Sequence, residues 1–334
     1  MPVTTISDLA QTFKQRSIGN RLHRDLTTLN LELTTGLKQD VSKAVGGRTG
    51  PLASIERGLT QLDAKGFAVK EAAIFAEATG IALDSLSTRI VGIDLGAMSI
   101  KDGMSNMQID ALAKSARAAF TGMISDLGTQ SGGRAVFGGA TGDTQATRDA
   151  EEILADIVAS LGGATSASDI TDGVAAYFAD GGPFDTGDYT GEKTDLAPFD
   201  LGDGSTTKVG IRADDPFIRE ALAEVVKIAV MGEGLPIDHD TRATIMSNGV
   251  SGMLQAQNRL TALSAGVGSA VATIDDATVR IGIERDGFRT ARLDLLAADP
   301  YETATKLQQT QTQIETIYTL TARLSGLNLV SYLR

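Results

Sequence analysis

The two ends of the chain carry the pattern that most restricts its fold. Apolar residues recur there in alternating steps of three and four, the spacing of a helix that packs lengthwise on another helix. At the C-terminal end these are Leu307, Thr310, Ile314, Ile317, Thr321 and Leu324. Asp299-Pro300 starts this helix: Asp is a preferred N-cap, Pro suits the first helical position, and Glu302 completes an acidic first turn. At the N-terminal end Leu22, Leu26, Leu29 and Leu33 step by 4, 3 and 4, and Leu37, Val41 and Val45 continue at steps of four. With Ser7 as cap and Gly46-Gly47 as stop, the sequence predicts one helix from Ser7 to Val45, roughly 60 Å long at ~1.5 Å per residue. Gly326 is expected to break the last helix and leave an apolar tail with Leu327, Leu329, Val330 and Leu333. Exposed apolar tails are a liability in water, so the tail is expected to have a partner. Periodicity alone leaves two readings open, a pair of amphipathic helices on an ordinary helical core or a terminal coiled coil built for assembly.

Composition narrows the rest. At 334 residues the chain exceeds the ~250–300 at which single cores stop growing, so two or three domains are expected. With 30 Lys+Arg against 42 Asp+Glu the net charge is −12, which makes nucleic acid and anionic membrane poor partners. Cysteine is absent, which excludes disulfide and thiolate chemistry. Aromatics are only 4%, and a chain so poor in large side chains fits thin helical bundles better than one broad core. No stretch approaches the ~18 apolar residues of a transmembrane helix, and no basic patch followed by an apolar run marks a cleavable signal.

Taken in order, a glycine-rich joint at Gly46 to Gly50 is followed by a helix restarting at Pro51, with Ile55, Leu59 and Leu62 on one face. Gly66 is read as an interruption, and the next helix, Val69 to about Ile90, places Ile74, Ala78, Ile81 and Leu86 near one stripe. Val91 to Gly103, with three glycines, reads as a joint, and Asn106 to Leu127 as a helix burying Met107, Leu112, Phe120, Met123 and Leu127. From Gly132-Gly133 to about Leu235 the texture turns to Gly, Asp and Thr. A strand is expected at Arg134 to Phe137, helices at Thr147 to Leu161 and Asp169 to Ala179, and a strand at Thr206 to Ala213. Asp215-Pro216 then caps a helix. From Asp240 helical texture returns through Ile245, Val250, Leu254, Leu260, Val267, Ile274, Ile281 and Leu293, weakened by Gly266, Gly268, Gly282 and Gly287 at up to ~1 kcal/mol each.

Catalytic sets do not emerge. Val91-Gly92-Ile93-Asp94-Leu95-Gly96 resembles the first phosphate-binding strand of actin-like ATPases, but Ala97 stands where Thr or Ser is usual, and the segment sits between helical stretches. Gly138 to Asp143 is not followed by the Gly-Lys-Ser/Thr of a phosphate loop. Asp185, Asp188, Glu192 and Asp195 do not match calcium-loop spacing, and Asp238-His239-Asp240 has only His23 as a second histidine in the chain. No enzyme, cofactor or metal site is expected.

Three elements, in order, resemble flagellar axial proteins. Leu31-Glu32-Leu33-Thr34-Thr35-Gly36-Leu37-Lys38 is similar to their L-x-x-G-L-[KR] element. Arg323-Leu324-Ser325-Gly326-Leu327-Asn328-Leu329-Val330-Ser331-Tyr332-Leu333 is similar to their closing R-L-S-x-L-x-L-x-x-[FY]-L. Gly132 to Thr141 resembles the G-x-Y-x-F-[SG]-G-T element that opens the outer part of the flagellar hook-associated protein 3 family, the hook–filament junction proteins. Flagellin shares the terminal elements, but its usual S-S-G-L-R-I-N-x-A is replaced here by Thr34-Thr35-Gly36-Leu37-Lys38-Gln39-Asp40-Val41, which favours the junction family.

The resemblance implies a mainly α, flagellin-like nest with a small α+β insertion. Residues 1–46 and 299–334 would form a terminal coiled coil, 47–133 and 238–298 a helical rod, and 134–237 an outer inserted domain. The implied assembly interface comprises Leu22, Leu26, Leu29, Leu33, Leu37, Leu307, Ile314, Ile317, Leu324, Leu327, Leu329 and Leu333. Implied partners are copies of the chain itself in a ring, hook-associated protein 1, flagellin and an export chaperone. The implied location is the extracellular hook–filament junction, reached through the flagellar export channel without a cleaved signal. A flagellin-like filament subunit is the alternative, and an actin-like nucleotide-binding enzyme a remote one.

Overall fold

The computed structural model describes residues 6–98, 105–140, 142 and 145–332, with side chains described over 13–93, 105–140, 142 and 145–323. Among these residues the chain is mainly α. Helices are α1 (Ile6–Thr35), α2 (Val41–Ala44), α3 (Gly50–Met98), α4 (Asn106–Leu127), α5 (Ala150–Ser160), α6 (Ala167–Tyr177), α7 (Pro216–Ala229), α8 (His239–Leu296) and α9 (Pro300–Tyr332). Sheet is confined to two antiparallel pairs of two-residue strands, β1 (Gln130–Ser131) with β2 (Arg134–Ala135) and β3 (Phe199–Asp200) with β4 (Thr206–Thr207). Gly132 and Gly133, both at positive φ, make the two-residue turn between β1 and β2. The chain divides into two compact units, Met1–Asp63 with Gly282–Arg334, and Ala64–Ile281. Front and rear of the sequence thus form one unit and the middle forms the other.

In the middle unit, burial follows a seven-residue period. On α8, Met246, Met253, Leu260, Val267, Ile274 and Ile281 are all buried, with Ala256, Ala270 and Ala277 buried between them. On α3, Val69, Ala76, Leu83 and Ile90 form one buried row, and Ala72, Thr79, Leu86 and Ile93 a second. A Cβ built on Gly66 would lie 4.0 Å from Ile281, and one on Gly80 4.0 Å from Val267, so the two helices run antiparallel along this stretch. A strict seven-residue repeat drifts about 20° per heptad on a straight helix and therefore favours left-handed winding. The rest of this unit packs on α4 and α7. Phe120, Met123, Ile124 and Leu127 of α4 and Leu222, Val225 and Val226 of α7 are buried. Asp215 accepts a hydrogen bond from the Phe217 amide at 2.9 Å, and Pro216 opens α7 as expected.

A buried carboxylate ties α5 and α6 to the π-helical turn Phe184–Asp188. Asp188 accepts from the Tyr177 hydroxyl at 2.6 Å and from Arg148 at 2.8 Å. Arg148 also donates to Asp156 at 2.9 Å and to Glu152 at 3.1 Å. Burial outweighs these donors and holds the Asp188 carboxyl above its ordinary range.

Several sequence expectations change. α1 ends at Thr35, where Gly36 at φ +70° closes it, so Leu37, Val41 and Val45 do not continue its seam. Gly66 does not interrupt α3, which also runs through Val91–Gly96 to Met98. Gly326 does not break α9. Each glycine costs its helix only about 1 kcal/mol relative to alanine, too little by itself to end it. Ile74 and Ile81 point away from the core, because the buried rows follow the seven-residue repeat rather than the stripe read from the sequence. Met107, Leu254 and Leu293 are exposed as well. The strands expected at Arg134 to Phe137 and Thr206 to Ala213 shrink to two residues each.

Replacing Leu83 by Ala should lower the urea midpoint of the middle unit by an amount corresponding to ~2–5 kcal/mol. Ile81→Ala, one turn-face away, should stay within about 0.5 kcal/mol in dilute solution. Arg148→Met leaves a buried carboxylate without its cation. The loss should be moderate, since Arg148 is itself about one-third exposed and water screens the pair. A raised folded pKa contributes stability that is present at low pH and lost as pH rises. The deficit of this variant should therefore be smallest in acid and grow toward neutral pH, as read by denaturation at several pH values.

Candidate assembly interface

The unit formed by the two ends of the chain is built on α1 and α9. The helices pack side by side and antiparallel: His23 Nε2 and the Tyr318 hydroxyl share a hydrogen bond of 2.9 Å, while near the other end of α1 the backbone joins Gly36 to Ala298 at 2.8 Å. The latter bond belongs to a short bridge, Leu37 opposite Ala297, in which the Lys38 amide also donates to the Leu296 carbonyl at 2.8 Å. Asp299 caps α9, its carboxylate accepting from the Tyr301 and Glu302 amides at 2.8 and 3.0 Å. Within the same unit α3 and α8 meet where a Cβ on Gly58 would lie 2.9 Å from the Phe288 ring. Only glycine lets that ring sit so close to the helix.

The seam between α1 and α9 is thin. Leu22 is buried at 5% exposure, while Leu26, Leu29, Leu307, Ile314 and Ile317 are half-buried. On α9 the best-covered residues of the seam are Thr303 and Thr310. Thr310 returns its hydroxyl to the Lys306 carbonyl at 2.8 Å, which satisfies the oxygen inside its own helix and leaves the methyl for packing. Two openings interrupt the contact. A groove of about 320 Å³ is lined by Arg16, Gly19, His23, Ile314, Ile317 and Tyr318. A polar hollow of about 470 Å³ is lined by Glu32, Lys38, Asp40, Glu302 and Lys306 among others. Lys306 donates to Glu302 at 2.6 Å, and that bond, reinforced by the Glu302 charge and by Glu32 on α1, holds the ammonium above its ordinary range.

Of the residues named from the sequence, the structure therefore brings Leu22, Leu26, Leu29, Leu307, Ile314 and Ile317 into one two-helix element. Leu33 is exposed, and Leu37 lies in the bridge after the helix. Leu324, Leu327 and Leu329 lie on the α9 backbone with side chains outside the described residues, and Leu333 lies outside them altogether. Sequence reasoning missed the outward apolar residues Leu31, Tyr301 and Leu320, and also Tyr318, whose hydroxyl meets His23 across the contact. They fall out of step with the seam, so a search for seam spacing passes over them. The phosphate-strand resemblance fails locally, since Val91–Gly96 is helical. His239 shares a hydrogen bond with the Asn106 side chain at 3.0 Å, and Asp238 caps the start of α8 through the Thr241 amide at 2.8 Å. Among the described residues no group of three His, Cys, Asp or Glu side chains could hold a metal ion.

Leu22→Ala should weaken the α1–α9 contact by ~2–3 kcal/mol, seen as faster amide exchange along α1. Asp299→Ala should cost about 1 kcal/mol and speed exchange in the first turn of α9.

Comparison with known proteins adds an independent finding. Residues 250–333, which cover most of α8 and all of α9, match the family model described as the bacterial flagellin C-terminal helical region. No curated protein matches the chain as a sequence. Among solved structures, a proposed flagellar hook-associated protein from Vibrio parahaemolyticus shares 13% identity at a TM-score of 0.45, covering 73% of this chain and 92% of that one. Over residues 250–333 the chain is thus similar to a bacterial flagellin C-terminal helical region.

Proposed function

We propose that this protein is an axial subunit of the hook-associated kind, joining the hook to the filament and assembling through its two terminal helices. The observation that carries the proposal is the pairing of α1 with α9, the latter lying inside the matched flagellin region. A half-buried seam with an open groove buries too little apolar surface to hold two long helices rigidly by themselves. Neighbouring copies would complete the burial, so ordering of the ends is coupled to assembly. Leu31, Leu33 and Leu320, exposed on this element, are placed to meet those neighbours.

On this reading the seam residues hold each subunit's ends together, and the outward residues hold subunits to each other. The neighbours would be hook-associated protein 1 on one side, flagellin on the other, and copies of the chain around the ring. An export chaperone would cover α9 before assembly, and the site of action would be extracellular. The role is mechanical and involves no reaction. A flagellin-like filament subunit is the second reading, favoured by the flagellin C-terminal match itself.

Antibody labelling of intact flagella separates the two: a single point at the filament base supports the junction, and label along the length supports the filament. Leu31→Ser with Leu320→Ser should leave circular dichroism unchanged and reduce incorporation into flagella at least tenfold. Removing residues 326–334 should block incorporation while the middle unit stays folded. A doubly substituted protein that assembles like the parent would count against this reading.

A further inference from the structure

In the middle unit the hairpin of β3 and β4 lies on both long helices, far along them from the α4–α7 core. At that core α4 braces α3, where Ser85 and Arg89 donate to Asp126 at 2.7 and 2.6 Å. There too α7 braces α8, where Arg259 pairs with Glu220 and Gly252 makes room for the Glu224 carboxylate. Lys65 on α3 and Arg280 on α8 lie about twenty residues from these braces, or ~30 Å of helix. Between Ala64 and Ile281 no side-chain hydrogen bond or ion pair among the described residues joins α3 to α8 directly. The hairpin joins them. Phe199 packs on Phe75 of α3 with ring centroids 5.6 Å apart, and Leu201 is buried. Gly202, at φ +90°, comes so close to α3 that a Cβ would lie 2.9 Å from the Lys65 side chain. Asp203 pairs with Arg280 of α8 at 2.6 Å.

The tip of the hairpin is shaped for this contact. Asp200 accepts from the Gly202 amide at 2.8 Å, Asp203 accepts from the Ser205 amide at 2.9 Å, and the Leu201 amide donates to the Ser205 carbonyl at 3.0 Å. Gly202 and Gly204, both at positive φ, present Asp203 between them. A pair of two-residue strands is not stable by itself, so the hairpin holds its shape through the helices under it. We propose that this hairpin is a strap. It closes the α3–α8 pair at the level of Lys65 and Arg280, and its release lets the two helices part there while the α4–α7 core stays folded. The opened state exposes Val69, Phe75, Ile274 and Ile281, which the closed state buries. The inference rests on the middle unit alone and does not depend on the flagellar reading.

Amide exchange on the full chain tests it. Phe199→Ala with Asp203→Ala should speed exchange about tenfold in residues 64–75 of α3 and 270–281 of α8 together, and leave α4 and α7 at the parent rate. Asp203→Arg alone changes only the exposed end of the strap and leaves the core side chains in place, so it should give the same pattern at about threefold. Adding Arg280→Asp rebuilds the pair with its signs exchanged and should return both segments to the parent rate. The proposal is overturned if neither segment responds, or if only α3 does, which would make the hairpin a cover for one helix. It is equally overturned if α4 and α7 accelerate to the same extent, since the hairpin would then be part of the core and not a strap.

Discussion

Helix laid against helix in opposite directions, with small residues at the line of contact, is the interaction the structure depends on. In the middle unit α3 and α8 meet this way at Gly66 and Gly80, and in the unit formed by the ends α1 meets α9. Such contacts need little bulk. Alanine, glycine and threonine let backbones approach, and one larger residue per heptad fills what remains. A chain with 4% aromatics and no tryptophan can therefore build long, well-packed helices without a broad core.

The two units use this contact to different depths. The rows of α3 and α8 from Val69 to Ile93 and from Met246 to Ile281 are fully covered, and α4 and α7 add a compact core with Phe120 at its centre. The α1–α9 seam covers Leu22, Thr303 and Thr310, and leaves most of its other members half-wet. Burial contributes roughly 25 cal/mol per Å², so the shallow seam has less free energy to offset the entropy of ordering two long helices. The same shallowness leaves apolar surface for other molecules.

Much of the fold could be read from the residues. Asn106–Leu127 comes out with the bounds read from its sequence, Asp215-Pro216 opens α7, and Asp299-Pro300 opens α9, because cap chemistry is local and each signal lies within a few residues of its effect. Glycine misled the reading at Gly66, Gly92 and Gly326. Each reads as a break in the sequence, yet each lies inside a continuous helix. A cost of about 1 kcal/mol per glycine is small for helices 49 and 33 residues long. The seven-residue repeat of Met246 to Ile281 was present in the sequence as well, but alanines and glycines at the alternate positions hide it from a search for large apolar residues.

What the sequence determined alone was the type of element: long helices with narrow seams, their starts, and an acidic chain without thiols. Which residues of a helix face inward was decided only by the partner. Ile74 and Ile81 are as apolar as Leu83 and Ile90, yet the first two face water because α8 lies against the other side. Likewise Leu31 and Leu33 differ from Leu22 by where α9 lies and not by their chemistry. Periodicity specifies that a face will be buried, whereas only three-dimensional contact between segments nearly 300 residues apart, such as His23 and Tyr318, selects which face it is.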